Sequence, residues 1–282
     1  MQTCIQNGDL KAVINHKGAE LAILEKNNEN YMWEVNKKFW DKTSPILFPI
    51  VGGLKNDRYI FDGKEYSLPR HGFAREREFT VVSKTENSVT FSLQYDEESL
   101  KIYPFTFKLQ VEYSIREECL FVKYIISNLG NSVMLYSIGA HPAFKIDGKF
   151  EEYSLEFDHE QNLTSHQLEN NLFSGKTVSI PLQNSQLPLS YTLFENDAIV
   201  LKESSIQSVR LLHGEKTKLK VGFSGFPYLG IWTKSEAPFI CIEPWLGIAD
   251  NANTSGFIED KEGIQSLEPH TQNVVEWSVQ LF

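Results

Sequence analysis

Three short runs carry the side chains from which acid/base chemistry is built. They are Leu68-Pro69-Arg70-His71-Gly72-Phe73-Ala74-Arg75, Ile138-Gly139-Ala140-His141-Pro142-Ala143-Phe144 and Cys241-Ile242-Glu243-Pro244-Trp245-Leu246-Gly247-Ile248-Ala249-Asp250. Each sets a titratable group beside small or rigid neighbours, the composition of strand ends and turns. Two histidines and a glutamate, brought together, could move a proton on and off a bound hydroxyl.

Each residue also has a plainer reading. His71, between Pro69 and Gly72 and flanked by arginines at 70 and 75, reads alone as an ordinary loop histidine. His141 closes an apolar stretch, and Pro142 forces an extended backbone that fixes where the imidazole points; a satisfied structural histidine is the alternative. Glu243 ends the run Phe239-Ile240-Cys241-Ile242, so its carboxylate rides on a strand among apolar neighbours, where burial would raise its pKa. An unpaired carboxylate there is costly, which hints at function. Spacing alone does not join the three in space.

The elements that must position them read as strands. Phe105, Phe107, Leu109, Val111, Tyr113 and Ile115 alternate with polar residues, the period of a long half-buried strand. Segments 79–84, 89–95, 120–126 and 133–138 repeat the pattern around it, as an antiparallel meander would. Further strands are expected at 12–15, 20–25 and 59–61, then at 198–202, 209–213, 219–223, 229–232, 239–243 and 274–281. No long amphipathic helix is expected. With no linker or repeat to divide 282 residues, the strands should share one core, and residues 1–282 read as a single all-β domain of two packed sheets.

Composition narrows the class. With 41% hydrophobic residues, five Trp, 19 Phe and 11 Tyr the chain should fold, and a net charge of −10 spread along it disfavours nucleic acid. No apolar stretch reaches membrane-spanning length and the start lacks a secretory pattern, so a cytoplasmic location and no membrane partner are expected. Cys4, Cys119 and Cys241 are widely spaced, which reads as reduced thiols, with Cys119 and Cys241 buried. There is no phosphate loop, helical two-histidine motif, cysteine cluster or nucleophile elbow, so neither cofactor nor metal is implied.

Taken in order, these runs, with Gly18-Ala19-Glu20-Leu21 and Leu47-Phe48-Pro49-Ile50-Val51-Gly52, resemble the aldose 1-epimerase family, in particular its LacX-like branch, over nearly the whole chain. The resemblance implies a galactose-mutarotase-type supersandwich of mostly antiparallel strands with the sugar in an open cleft. It implies that Glu243 is the general base, His141 the general acid and His71 a substrate-holding residue. It adds Arg75 as a donor to the sugar, with an ion pair to Glu76 or Glu78 as the structural alternative. Asp197 becomes a candidate for binding hydroxyls, against a solvated turn residue. Trp245 could stack on a sugar face or simply be core. One departure stands out: many relatives carry arginine where this chain has Gly53, and Lys55 and Arg58 lie close by.

The implied activity is interconversion of α and β anomers of a hexose, free or phosphorylated, through an open-chain aldehyde. A non-catalytic sugar-binding or sensing protein on the same fold is the alternative. A glycoside hydrolase ranks last, because it would want two carboxylates.

Overall fold

The computed structural model describes residues 1–158, 162–203 and 205–282, and strands make up nearly all of its regular structure. The alternation around residue 110 becomes the strand Phe107–Arg116, with 107, 109, 111 and 113 buried and the residues between them half-buried. It pairs antiparallel with Ser88–Gln94 on one side and Cys119–Asn128 on the other. This meander is the centre of a nine-stranded sheet. Its order is Gln186–Pro188, Tyr153–Phe157, Ser208–His213, Lys216–Gly222, Gln272–Leu281, Cys119–Asn128, Phe107–Arg116, Ser88–Gln94 and Thr80–Lys84.

A six-stranded sheet carries the site. Its order is Ile199–Lys202, Tyr228–Trp232, Phe239–Leu246, Ile138–Ala140 and Ile46–Leu47, with Ala143–Lys145 also paired to Phe239–Leu246. Alternation decides what each face does. Ile199, Leu201, Leu229, Ile231, Ile240, Ile242 and Leu246 join Phe107, Leu109 and Val111 of the larger sheet in the main core. Val200, Tyr228, Phe239, Cys241 and Trp245 belong to two smaller clusters on the opposite face, under loops. Phe239–Leu246 is therefore buried at every position, and it reads as an apolar run rather than an alternating one. Removing a large side chain from such a core, Phe107→Ala for instance, typically costs about 3–5 kcal/mol.

Most expected strands form, with shifts of up to three residues at their ends, but the segment expected at 133–138 leaves the meander and splits into Met134–Tyr136, paired with Gln265–Leu267, and Ile138–Ala140 in the six-stranded sheet. Several strands were not anticipated, among them Ile46–Leu47 and Ala143–Lys145 of the six-stranded sheet. Gln2–Asn7 and Tyr153–Phe157 are short. The hairpin of Asn162–Glu169 and Leu172–Pro181 leaves much of its second strand exposed, so it lacks the apolar alternation that betrays a strand. Among the described residues one α-helix forms, the six-residue Glu97–Ile102, and no helix is long and apolar enough to cross a membrane. Cys241 is buried as expected, but Cys119 is only half-buried. It opens Cys119–Asn128 on the face opposite Leu120, whose side chain enters the core.

Candidate active site

His141 and Glu243 face each other because of the register between two strands and the two prolines that interrupt it. Gly139 pairs with Trp245 on one side of the gap and Ala143 with Cys241 on the other. Both pairings belong to one unshifted register, which sets His141 directly across from Glu243. Ile242 donates to the carbonyl of Pro142 at 3.3 Å, so ladder bonds on this side fall at even-numbered residues of Phe239–Leu246. Pro244 therefore points its donor-less nitrogen into the gap, and Pro142 returns no N–H to Ile242. His141 and Glu243 form the non-hydrogen-bonded pair between them, the kind whose side chains lie closest. His141 Nε2 is 3.2 Å from Glu243 Oε2, with the carboxylate side chain 2% exposed.

Burial dominates the electrostatics of the pair. It pulls the His141 imidazole down to about 3, with Arg70 and Arg75 adding to the effect. It pushes the Glu243 carboxyl well above the usual range, with Arg70 opposing. Burial thus disfavours the charged form of both partners and favours the neutral arrangement of carboxylic acid and free imidazole.

His71 adopts a left-handed backbone, φ 68°, unusual for a side chain of this kind and a marker of a site held by its surroundings. Its N–H donates to the carbonyl of Gly52 at 2.9 Å, and the Gly52 N–H donates back to His71 Nδ1 at 3.1 Å. Only glycine allows this at 52: its φ is +75°, and a Cβ there would lie 2.5 Å from that of Ala249. With Nδ1 an acceptor, the ring proton sits on Nε2. Burial, helped by Arg70, holds His71 neutral well below its ordinary pKa, so the ring offers one N–H without bringing a charge.

These groups line a cleft of about 570 Å³, together with Arg70, Arg75, Asp197, Trp232, Trp245 and the loop around Asn196. Trp40 lies over His141, ring centroids 4.8 Å apart, and Trp232 meets its edge at 5.8 Å. Glu243 Oε2, His141 Nδ1 and the indole nitrogen of Trp245 are buried without a hydrogen-bond partner among the described residues. Buried polar atoms are almost always satisfied, and these are concentrated where a polar ligand would satisfy them.

Comparison with known proteins places this geometry. Residues 1–254 match the family model described as aldose 1-epimerase. The chain is similar to the plasmid-borne protein LacX of Lactococcus lactis subsp. lactis, 35% identical over 281 residues and covering 94% of each chain. It is also similar in structure to a galactose mutarotase related enzyme from Lactobacillus acidophilus, TM-score 0.94 at 32% identity, covering 100% of this chain and 97% of that one. A galactose mutarotase-like protein from Lactobacillus casei gives TM-score 0.94 at 31% identity with full coverage of both. The chain belongs to the aldose 1-epimerase family.

For this aldose 1-epimerase-family chain, an isomerase by family, the residues carried over from the sequence, His71, Arg75, His141, Asp197, Glu243 and Trp245, all line the one cleft. Arg75 does not take the ion pair weighed for it. Its Nη2 donates to the Arg70 carbonyl at 2.9 Å, while Glu76 is held by Lys17 and Lys42. Asp197 stands at φ 97° and accepts the Ala198 N–H at 2.7 Å, so it is a wall residue with a local bond. Trp245 is both core and wall: 5% exposed, it packs with Leu47, Val51 and Tyr228.

Lys55 and Arg58 face a separate hollow beside Thr254 and Gly256, and Arg58 pairs with Glu65. They do not replace the arginine absent at Gly53. The cations that do line the cleft, among the described residues, are Arg70 and Arg75. Trp40, Trp232 and Arg70 were not marked as site residues in the sequence, because the tryptophans sit in no recognisable motif and Arg70 reads as a flanking charge. His141, Cys241 and Glu243 place potential metal-ligand atoms within 4.8 Å of one another. The Cys241 thiol, however, is pushed well up by burial and by Glu243, a poor state for a ligand that must be a thiolate.

Proposed function

We propose that the protein interconverts the α and β anomers of a hexose, with Glu243 as base and His141 as acid. The observation that carries this reading is the opposed His141–Glu243 pair, 3.2 Å apart in the cleft. A sugar hydroxyl donating to Glu243 favours its carboxylate, and an ether oxygen accepting from His141 favours its imidazolium. Both shift the shared proton toward the working arrangement. Glu243 then takes the proton of the C1 hydroxyl while His141 gives one to the ring oxygen, and the hemiacetal opens to the aldehyde. Rotation about C1–C2 and return of both protons closes the other anomer.

His71 and Arg75 supply donors, Asp197 accepts from hydroxyls and Trp245 offers its indole N–H and ring. Residues 1–282 act as one unit on a small sugar, free or phosphorylated, in the cytoplasm. The reaction proceeds unaided in water, so positioned acid and base need contribute only about 10² to 10⁴-fold, with orientation adding to it.

The test follows freshly dissolved α-D-galactose, α-D-glucose and glucose 6-phosphate toward anomeric equilibrium by polarimetry or NMR. Acceleration that is lost in Glu243→Gln supports the reading. Saturable binding without acceleration would replace it with a sugar-sensing protein.

A further inference from the structure

Asp250 ends the third sequence run without touching the acid/base pair, yet it is 4% exposed and forms a buried ion pair with Lys261, Oδ1 to Nζ 2.8 Å. Such a pair contributes little net stability, because desolvating both charges offsets their attraction. What it provides is an acceptor fixed in place. The second carboxylate oxygen takes the Lys55 backbone N–H at 2.9 Å, and the Asp250 backbone N–H donates to Gly53 O at 2.9 Å. One residue therefore grips the 53–55 loop at both ends.

That loop begins where His71 is held. Gly52 exchanges hydrogen bonds with His71 and rests on Ala249, the neighbour of Asp250. The carbonyl of Asp250 also accepts from Phe173 N at 2.9 Å, and Phe173 O accepts from Ala252 N. This docks the hairpin whose turn residue Asn171 takes the Arg70 guanidinium at 2.6 Å. Two of the cleft's donors are thus anchored through one buried residue that neither of them contacts: His71 through the Asp250 carboxylate and backbone N–H on the 53–55 loop, Arg70 through the Asp250 backbone carbonyl on the hairpin.

We propose that Asp250 is a positioning residue: by accepting the Lys55 N–H and so holding the 53–55 loop it keeps the Gly52 N–H on His71 Nδ1, so that His71 presents its Nε2 proton to the substrate. The role in substrate binding rests on the function proposed above, whereas the effect on the His71 tautomer does not.

Two perturbations reach the same contact from opposite sides. Lys55→Pro deletes the backbone donor at an exposed position, with Lys55→Ala as the control for loss of the side chain. Leu54 before it is extended, φ −95° and ψ 153°, and Lys55 opens a 3-10 turn, a setting that accepts proline. Asp250→Ala with Lys261→Met removes the acceptor without stranding the ammonium, and Asp250→Asn with Lys261→Met restores a neutral acceptor. The His71 tautomer is read from ¹⁵N–¹H NMR of histidine-labelled protein, assigned with His71→Gln, and KM and kcat are measured alongside.

The wild type should show a single Nε2–H tautomer. Lys55→Pro and Asp250→Ala/Lys261→Met should show a mixed tautomer and a KM raised about tenfold or more with kcat within about threefold, and the Asn variant should recover both. A single unchanged tautomer in the folded Lys55→Pro protein overturns the proposal, as does an Asn variant that recovers nothing. A mixed tautomer with unchanged KM overturns the part that concerns substrate. If no sugar is turned over by the wild type, the function proposed above fails, and the tautomer alone decides the positioning role.

Discussion

The indole of Trp245 occupies the space that a side chain on Gly230 would need: a Cβ at 230 would lie 2.4 Å from the indole carbon Cζ2. Gly139, on the strand at the other side, is just as close, 2.7 Å from Cδ1. Gly230 is also the ladder partner of Glu243. The two glycines thus make room for the tryptophan and leave Glu243 flanked by a histidine on one strand and bare backbone on the other.

Gly230→Ala should therefore disturb the cleft more than the fold. Overpacking of this kind costs about 1–3 kcal/mol, and the displaced indole shares its strand face with Glu243. Turnover in an anomer-exchange assay should fall about tenfold or more, while circular dichroism keeps the all-β signature; unchanged turnover would mean that the Trp245 position does not matter to the pair.

Glu243→Gln and His141→Asn should each lower turnover by about 10² to 10⁴-fold if the pair is the acid/base machinery. Stability adds an independent check on Glu243. Its folded pKa is raised by burial, so its favourable contribution is complete below the ordinary carboxylate pKa and is lost as pH rises from there. Gln cannot ionise and escapes that loss. Thermal unfolding should show Glu243→Gln gaining on the parent as pH is raised from about 4 to 8. A difference that stays flat with pH would mean that Glu243 is not strained by burial.

Much of this was legible in the chain because burial writes a period. The alternation from Phe105 to Ile115 announces its strand, and the polar groups of the three runs stand out against apolar neighbours. What could not be read is whatever depends on register. Proline at 244 argues that a strand stops at Glu243, yet the strand continues to Leu246, because the ring nitrogen faces a stretch already interrupted by Pro142. The same gap opposes His141 to Glu243, and no local pattern encodes a relation between residues a hundred positions apart. Trp40 reaches His141 from a segment with little regular structure, so its place in the cleft left no trace in periodicity.

The pH profile of turnover should differ from that of an ordinary histidine enzyme. Adding a second proton to the pair requires charging His141, held down at about 3, and removing the only proton requires ionising Glu243 against its burial. The profile of kcat/KM should show no histidine-like inflection near 6.5 and should fall on the alkaline side as the pair loses its proton. A clear histidine-like step near 6.5 would show that burial does not hold His141 neutral.

Arg70 sets where that alkaline fall begins. Its charge disfavours proton binding at both His141 and Glu243, so Arg70→Met should make the last proton harder to remove and carry the alkaline limb to higher pH. Because Arg70 is exposed, salt should screen its effect, and the shift should shrink at high ionic strength. Loss of Arg70 as a mere sugar contact would instead raise KM and leave the kcat limb in place. Measuring kcat and KM separately across pH for Arg70→Met distinguishes the two. A limb that moves to lower pH would contradict both accounts, because removing a cation from beside a buried proton can only strengthen that proton's hold.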